Sequence, residues 1–233
     1  MEGYLIPLWA AIWWLVAIPF LALGIHQLRR LLAVDREAFP LLGVVGGFVF
    51  ILSALRLPSV TGSSSHPTGT GLSAIAFGPW ITVVISAVVL LFQALFLAHG
   101  GLSTMGANIV SMGVVGPIVG WGIYRTLRDT RVNPYATVFL ACVFADLFTY
   151  VTTSLQLALA PPVSGTALVN PPNIILSSFI VFLGIFGITQ VPLAILEGII
   201  LALVFKYIVQ LRPEILIRLK IFSEKKIIAA RGS

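Results

Sequence analysis

Charged residues are scarce in this chain of 233 amino acids. Asp, Glu, Lys and Arg make up 9% of the sequence, whereas 58% of the residues are hydrophobic. Soluble globular domains carry roughly 25% charged residues, and the mean hydropathy here is +1.05. This composition excludes a soluble domain and indicates an integral membrane protein, with the lipid bilayer as its surroundings. No nucleic-acid partner is expected.

Cysteine is almost absent. The single cysteine, Cys142, lies inside the apolar run FLACVFADL, so an intrachain disulfide framework is excluded and we interpret the thiol as a packing group. The N-terminal segment MEGYLIPLWAAIWW has neither a basic n-region nor a small-residue cleavage site. We therefore do not expect a removable signal peptide.

Enzyme signatures are also missing from the sequence. It contains no HExxH helix, no GxSxG elbow, no glycine-rich Walker loop and no Cys/His cluster. We therefore expect a protein that is not an enzyme. Any ATP hydrolysis that its function requires must come from other subunits.

Long apolar runs dominate what remains, and they predict an all-α polytopic membrane bundle of about seven transmembrane helices. The predicted spans lie near residues 8–28, 40–56, 79–98, 108–127, 134–159, 172–190 and 193–211. Two points stay open. Pro192 is compatible with one long kinked helix in place of the last two spans, and Gly78-Pro79 is compatible with a short half-helix over 70–78.

The basic residues predict the orientation, because Lys and Arg accumulate on cytoplasmic loops. Strict alternation of seven spans would place Arg29–Arg36 and Arg125–Arg131 on opposite sides. The conflict disappears if residues 70–98 form a short re-entrant element followed by a span. We then expect a multi-pass protein of the cell membrane, with its N-terminus outside, a transmembrane domain over 1–211 and a basic cytoplasmic tail over 212–233.

A sparse set of polar side chains lies inside or beside the predicted spans. Its members are Arg56, Gln93, His99, Asn108, Asp146, Gln156, Gln190 and Glu197. Ionisable groups at membrane depth are costly and mark substrate pathways or buried pairs. For Arg56, Asp146 and Glu197 we favour structural hydrogen bonding over direct contact with a ligand.

His66 stands in the loop SVTGSSSHPTGTG, which is dominated by Ser, Thr and Gly. A neutral imidazole is a good ligand for cobalt, nickel, zinc and copper, and small residues let a loop wrap closely around an ion. One histidine alone binds such metals poorly. The alternative interpretation of His66 is therefore an ordinary histidine in a surface loop. His99, just before Gly100-Gly101, either faces the same loop or has a capping or packing role.

Four segments carry a resemblance to a known family: LSALRLPSVTGSSSHPTGTGL, LLFQALFLAHGGLSTMGANIVSMGVVGPIVGW, ADLFTYVTTSLQLALA and GIFGITQVPLAILEG. Together they closely resemble the CbiM/NikM family, the substrate-binding S components of energy-coupling-factor (ECF) transporters for cobalt or nickel. The resemblance runs in order from MEGYL to about Tyr207.

The resemblance implies a metal held by the N-terminal amine, by a histidine at the second position and by the histidine of the HPTG loop. His66 matches the last of these. From the residues themselves, we expect His99 and Asn108 to lie beside the metal ligands without binding the ion directly. The family usually opens Met-His-Ile ahead of MEGYL, whereas this chain begins with Met1 and Glu2. Met1 is therefore a doubtful ligand. We favour a start recorded three residues late over a truncation or a different binding mode.

The resemblance also implies the partners and the cargo. An S component captures a divalent metal outside and works with a transmembrane coupling (T) protein and cytoplasmic ATP-binding subunits. Cobalt(II), for example for cobalamin synthesis, is the predicted cargo and nickel(II) the alternative, since imidazole and amine nitrogens serve both. No cofactor is expected. A stand-alone channel and an intramembrane enzyme are the competing classes.

Overall fold

The computed structural model describes residues 1, 3–58, 64–160 and 169–231. Part of the histidine-containing loop, residues 59–63, lies outside this range. The helices are α1 Pro7–Val34, α2 Ala38–Ala54, α3 Thr70–Phe77, α4 Pro79–Phe96, α5 Met105–Asn108, α6 Gly116–Leu127, α7 Pro134–Leu159, α8 Pro172–Leu211, α9 Pro213–Arg218 and α10 Glu224–Arg231. A π-helical segment, Ile109–Val115, joins α5 to α6. Two short antiparallel strands, β1 Leu57–Pro58 and β2 Ser64–Ser65, precede α3.

Five helical stretches of the described residues are long and apolar enough to cross a membrane. They are Pro7–Val34, Pro79–Phe96, Met105–Leu127, Pro134–Leu159 and Pro172–Leu211, with mean hydropathies of 1.4 to 2.3. The apolar α2 is shorter, at 17 residues. The all-α polytopic bundle is therefore confirmed.

The predicted count of seven spans is not confirmed. The spans expected at 172–190 and 193–211 form one helix of 40 residues, α8, with Pro192 inside it. A proline removes one backbone hydrogen bond, and packed neighbours in a membrane bundle tolerate that loss. The structure therefore has one long helix here, which was one of the two alternatives left open by Pro192.

The break between α3 and α4 agrees with the alternative of a short half-helix over 70–78. Gly78 has φ +83°, a left-handed conformation that favours glycine, and Pro79 starts α4, where its missing N–H costs nothing. A hydrogen bond of 3.0 Å between the hydroxyls of Ser73 and Thr82 joins the two helices. The chain therefore enters the bundle as α3 and turns back as α4.

The reversal at Gly78 brings two loops to the same end of the bundle. The His66 and His99 rings have centroids 5.1 Å apart, so the HPTG loop and the segment between α4 and α5 lie together. This shared end agrees with a re-entrant element within residues 70–98, which the distribution of Lys and Arg favoured.

The basic segments share the opposite end. The Arg218 guanidinium pairs with Asp35 and, at 2.7 Å, with Glu37, which ties α9 to the α1–α2 turn. The Lys226 ammonium donates to the carbonyls of Arg128 at 2.8 Å and Thr130 at 3.0 Å. The three basic regions therefore gather around one end of the molecule.

Residues 213–231 pack against the bundle. Leu216, Phe222 and Ile227 are buried in the same core cluster as Phe205 and Tyr124, and the Tyr124 hydroxyl donates to the carbonyl of Ile221. The boundary between a 1–211 domain and a 212–233 tail stays a prediction.

Candidate metal site

The HPTG loop is held in place by side chains of α7 and α8. The His66 N–H donates to the Tyr150 hydroxyl at 2.9 Å. The His66 carbonyl accepts from that hydroxyl at 3.3 Å and from Gln190 Nε2 at 3.2 Å. The hydroxyls of Ser65 and Thr189 are 2.7 Å apart. Two helices therefore fix the backbone on both sides of the His66 ring.

Glu197 fastens the next two residues of the loop. Its Oε2 accepts from the Thr68 N–H at 2.5 Å, and its Oε1 accepts from the Gly69 N–H at 2.9 Å and from the Thr68 hydroxyl at 3.3 Å. Gly69 has φ +68°, which favours glycine at this turn. A fully buried carboxyl requires such partners, so Glu197 has the structural role that the sequence favoured.

Asp146 acts on the loop through a neighbour. Its Oδ2 accepts from Gln190 Nε2 at 2.5 Å, and the same amide group reaches the His66 carbonyl. Asp146 is fully buried and does not line the cavity beside His66. It orients Gln190 and, through it, the loop.

A cavity of about 210 Å³ opens beside the loop. All the predicted site residues lie around it: His66, His99, Asn108 and Met1. The geometry brings these positions together from three separate segments of the chain, and their roles as ligands stay predictions.

The two histidines have different ring tautomers, which we assign from their hydrogen bonds. His66 Nδ1 lies 3.0 Å from the Pro67 carbonyl oxygen. A carbonyl only accepts, so Nδ1 carries the proton and Nε2 keeps a lone pair. His99 Nδ1 lies 3.3 Å from Arg56 Nη1. A guanidinium only donates, so His99 carries its proton on Nε2. His66 thus offers a free ring nitrogen, and His99 offers an N–H.

Arg56 is fixed as well, since its Nη2 donates to the Leu97 carbonyl at 3.2 Å. Burial, together with the Arg56 cation, lowers the pKa of His66. Burial and the neighbouring His66 and Arg56 lower the pKa of His99 to about 4. Both rings are therefore neutral at neutral pH, which keeps the His66 lone pair available to a metal.

The donor set is rich in neutral groups. Within the described residues no three His, Cys, Asp or Glu side chains come together in a metal-binding cluster. The described side chains supply one free imidazole nitrogen, from His66, and amide, hydroxyl and thioether groups around it. Such a set suits a borderline transition metal better than calcium or magnesium, which prefer oxygen ligands with negative charge.

Sequence reasoning missed several residues that build this site. Tyr150 stands four positions after Asp146 and therefore on the same helix face, a signal that was present but not used. Met105 and Met112 line the cavity, and no charge or motif drew attention to them.

The chain is similar to known proteins over nearly its whole length. Residues 1–215 match the family model described as CbiM, the cobalt uptake substrate-specific transmembrane region. The chain belongs to the CbiM family. A putative cobalt transport protein CbiM 2 from Methanosphaerula palustris is 59% identical over 231 residues, which cover 99% of this chain and 95% of the relative.

A further relative and a solved structure are also similar to this chain. The cobalt transport protein CbiM of Acetoanaerobium sticklandii is 51% identical over 214 residues, covering 92% of this chain and 85% of the relative. A crystal structure of a transition metal transporter superposes with a TM-score of 0.76 at 25% identity, covering 94% of this chain and 98% of the other. The protein is therefore a multi-pass membrane component of metal uptake and not an enzyme.

Proposed function

We propose that the protein captures cobalt(II) as the S component of an ECF transporter, for example for cobalamin synthesis. The observation that carries the proposal is the free Nε2 of His66, held beside a cavity by a loop that two helices clamp. The names of the relatives, which are cobalt transport proteins, support cobalt as the cargo.

The chemistry of capture is an exchange of ligands. A hydrated divalent ion gives up water for the imidazole nitrogen, which is a better ligand for a borderline metal. The backbone bonds of His66 to Tyr150 and Gln190 hold the ring in position before the ion arrives. The N–H of His99 is suited to donate to an oxygen that remains on the metal.

The basic end of the bundle supports the proposed orientation, and the missing Walker loop supports the proposed partners. In this proposal the end with the HPTG loop and the N-terminus faces outward, and the basic end faces the cytoplasm, where Lys and Arg accumulate. The sequence has no Walker loop. Energy therefore comes from separate ATP-binding subunits, linked through the transmembrane coupling protein.

Uptake tests the proposal directly. Cells that express the protein with a coupling protein and ATP-binding subunits should accumulate radioactive cobalt, and His66→Ala should reduce accumulation at least about tenfold. His26→Ala is the matched control, because His26 is exposed on α1 and should leave uptake unchanged. Equal uptake by both variants would contradict the proposal. Unlabelled nickel(II) that abolishes cobalt uptake at a concentration equal to that of cobalt would favour nickel as the natural cargo.

A further inference from the structure

Asp146 lies at the middle of a membrane-spanning helix. It divides the 26-residue α7 into nearly equal halves, and its side chain is fully buried. An ionised carboxylate at the centre of a bilayer is costly unless a cation or several donors compensate for it. Cys142 and Tyr150, one turn away on either side, supply no positive charge. Among the described residues, the charge that acts on Asp146 is the buried carboxyl of Glu197, which repels a second negative charge. The surroundings therefore favour a neutral Asp146.

The two buried carboxyls differ in the donors that surround them. The oxygens of Glu197 accept from the N–H groups of Thr68 and Gly69 and from the Thr68 hydroxyl. Asp146 accepts through Oδ2 from Gln190 Nε2 at 2.5 Å. Its Oδ1 is buried and has no hydrogen-bond partner within the described part of the chain. Because hydrogen bonds to the charged form favour ionisation, the donors place the negative charge on Glu197 and a proton on Asp146.

The amide of Gln190 has an unpartnered oxygen as well. Its Nε2 lies 3.2 Å from the His66 carbonyl oxygen. A carbonyl only accepts, so the two N–H groups of the amide point at His66 and at Asp146 Oδ2. The amide oxygen, Oε1, is buried without a hydrogen-bond partner among the described residues. Two of the six unpartnered buried side-chain atoms in the described residues therefore belong to two groups that are already bonded to each other.

We propose that Asp146 is a protonated carboxylic acid whose O–H donates to Gln190 Oε1, so that two hydrogen bonds join the two side chains. A carboxylic acid and a primary amide each present one donor and one acceptor side by side. One proton on Oδ1 satisfies both unpartnered oxygens. The second N–H of the amide remains for the His66 carbonyl. Asp146 is thus a positioning residue for the His66 loop, and its effect on metal capture rests on the proposed function.

Loss of this proton would disturb the metal site. Asp146 would then present two acceptors, and its Oδ1 would repel Gln190 Oε1. The amide would no longer be held with its N–H towards the His66 carbonyl, and that carbonyl would lose one of the two donors that it has in the structure, Tyr150 and Gln190. The proton on α7 therefore helps to fix the position of the His66 ring.

Infrared spectroscopy tests the proton without cobalt. In a detergent that has no ester groups, the protein at neutral pH should show the C=O stretch of a hydrogen-bonded carboxylic acid. Asp146→Asn should remove this band, and Glu197→Gln should retain it. Gln190→Leu should shift the band to the higher frequency of an acid whose O–H is free. Absence of an acid band, or a band that survives Asp146→Asn and is lost in Glu197→Gln, would overturn the proposal.

Cobalt(II) titrations of the chain preceded by Met-His-Ile test the effect on capture. Asp146→Leu should weaken capture by roughly tenfold, as for other residues that orient a ligand. Asp146→Asn should recover most of this loss, because an amide offers Gln190 the same donor and acceptor as a protonated acid. The matched control is Asp129→Asn, at an exposed carboxyl, which should change neither the band nor capture.

An ionised Asp146 predicts a different result. Asp146→Asn would then remove a negative charge near the metal and weaken capture as much as Asp146→Leu does, which would overturn the proposal. An acid band that behaves as expected in a protein that binds no cobalt would support the pair of Asp146 and Gln190 and contradict the proposed function alone.

Discussion

The two ends of the bundle are held together by different interactions. At the end with the HPTG loop, buried groups such as Glu197 and Gln190 bond the loop backbone. At the opposite end, ion pairs between Arg218 and the Asp35–Glu37 turn are at least partly exposed to solvent. Removing one partner of a buried hydrogen bond leaves the other group buried and unsatisfied, at the full cost of its desolvation. Exposed ion pairs contribute little to stability, because water and salt screen them. Substitutions should therefore matter far more at the loop end.

Among substitutions at the two ends, Glu197→Ala should have the largest effect on stability and on cobalt capture. It leaves the N–H groups of Thr68 and Gly69 without their buried acceptor, at a cost of about 3 kcal/mol of unfolding free energy. Cobalt capture should fall with it, because the loop loses its anchor. Thermal unfolding and cobalt binding in the same detergent measure both effects. Glu214→Ala is the control, since Glu214 is exposed, and equal losses in the two variants would contradict the comparison.

Tyr150→Phe should have the next largest effect. The ring stays and the hydroxyl is lost, so the His66 N–H loses its acceptor at a cost of about 1–2 kcal/mol. Capture should weaken by roughly tenfold, the range expected when a residue that orients a ligand is removed. Tyr207→Phe provides the control, because Tyr207 is exposed on α8. A cobalt titration in which both variants behave alike would show that the hydroxyl does not orient His66.

The pH dependence of metal capture tests whether protons compete with the metal for His66. Protons compete with the metal for His66, and its pKa is lowered, so capture should persist as the pH falls through about 6.5, the ordinary histidine value, and decline only below it. Arg56→Gln removes a cation that lowers this pKa, so the decline should move to higher pH. Cobalt binding followed over a pH series measures the midpoint. A midpoint at or above about 6.5 in the unmodified chain would contradict the assignment.

Asp35→Asn should have the smallest effect, although the Arg218 guanidinium beside Asp35 lowers the pKa of that carboxyl. An exposed pair contributes little to stability, and salt screens it. The melting temperature should fall slightly at low salt and match that of the unmodified chain at high salt. A large loss that persists in salt would show that the basic end is as firmly held as the loop end.

The sequence was sufficient for features that depend on composition and local signals. Hydropathy identified the bundle, Gly78-Pro79 marked the break after α3, and basic residues predicted which loops share an end. Pro192 was ambiguous, because whether a proline ends a membrane helix depends on the neighbours that compensate for it.

The site was less accessible from the sequence. Scarcity of charge singled out Glu197 and Asp146, and the family resemblance pointed to His66. The bonds that hold the loop join residues 84 and 124 positions apart, as in His66 with Tyr150 and Ser65 with Thr189. No local sequence pattern encodes such pairs. The hydrogen bonds that hold the loop, and the ring tautomers, could therefore be assigned only from the three-dimensional structure.

We propose that His66 supplies the nitrogen ligand while His99 supplies an N–H beside it. Cobalt titrations of His66→Ala and His99→Ala, each in the chain preceded by Met-His-Ile, test this most directly. We expect His66→Ala to abolish measurable capture, whereas His99→Ala should weaken it by about tenfold, as for a residue that contacts a ligand without binding the metal. Capture that survives His66→Ala, or that is lost equally in both variants, would contradict it.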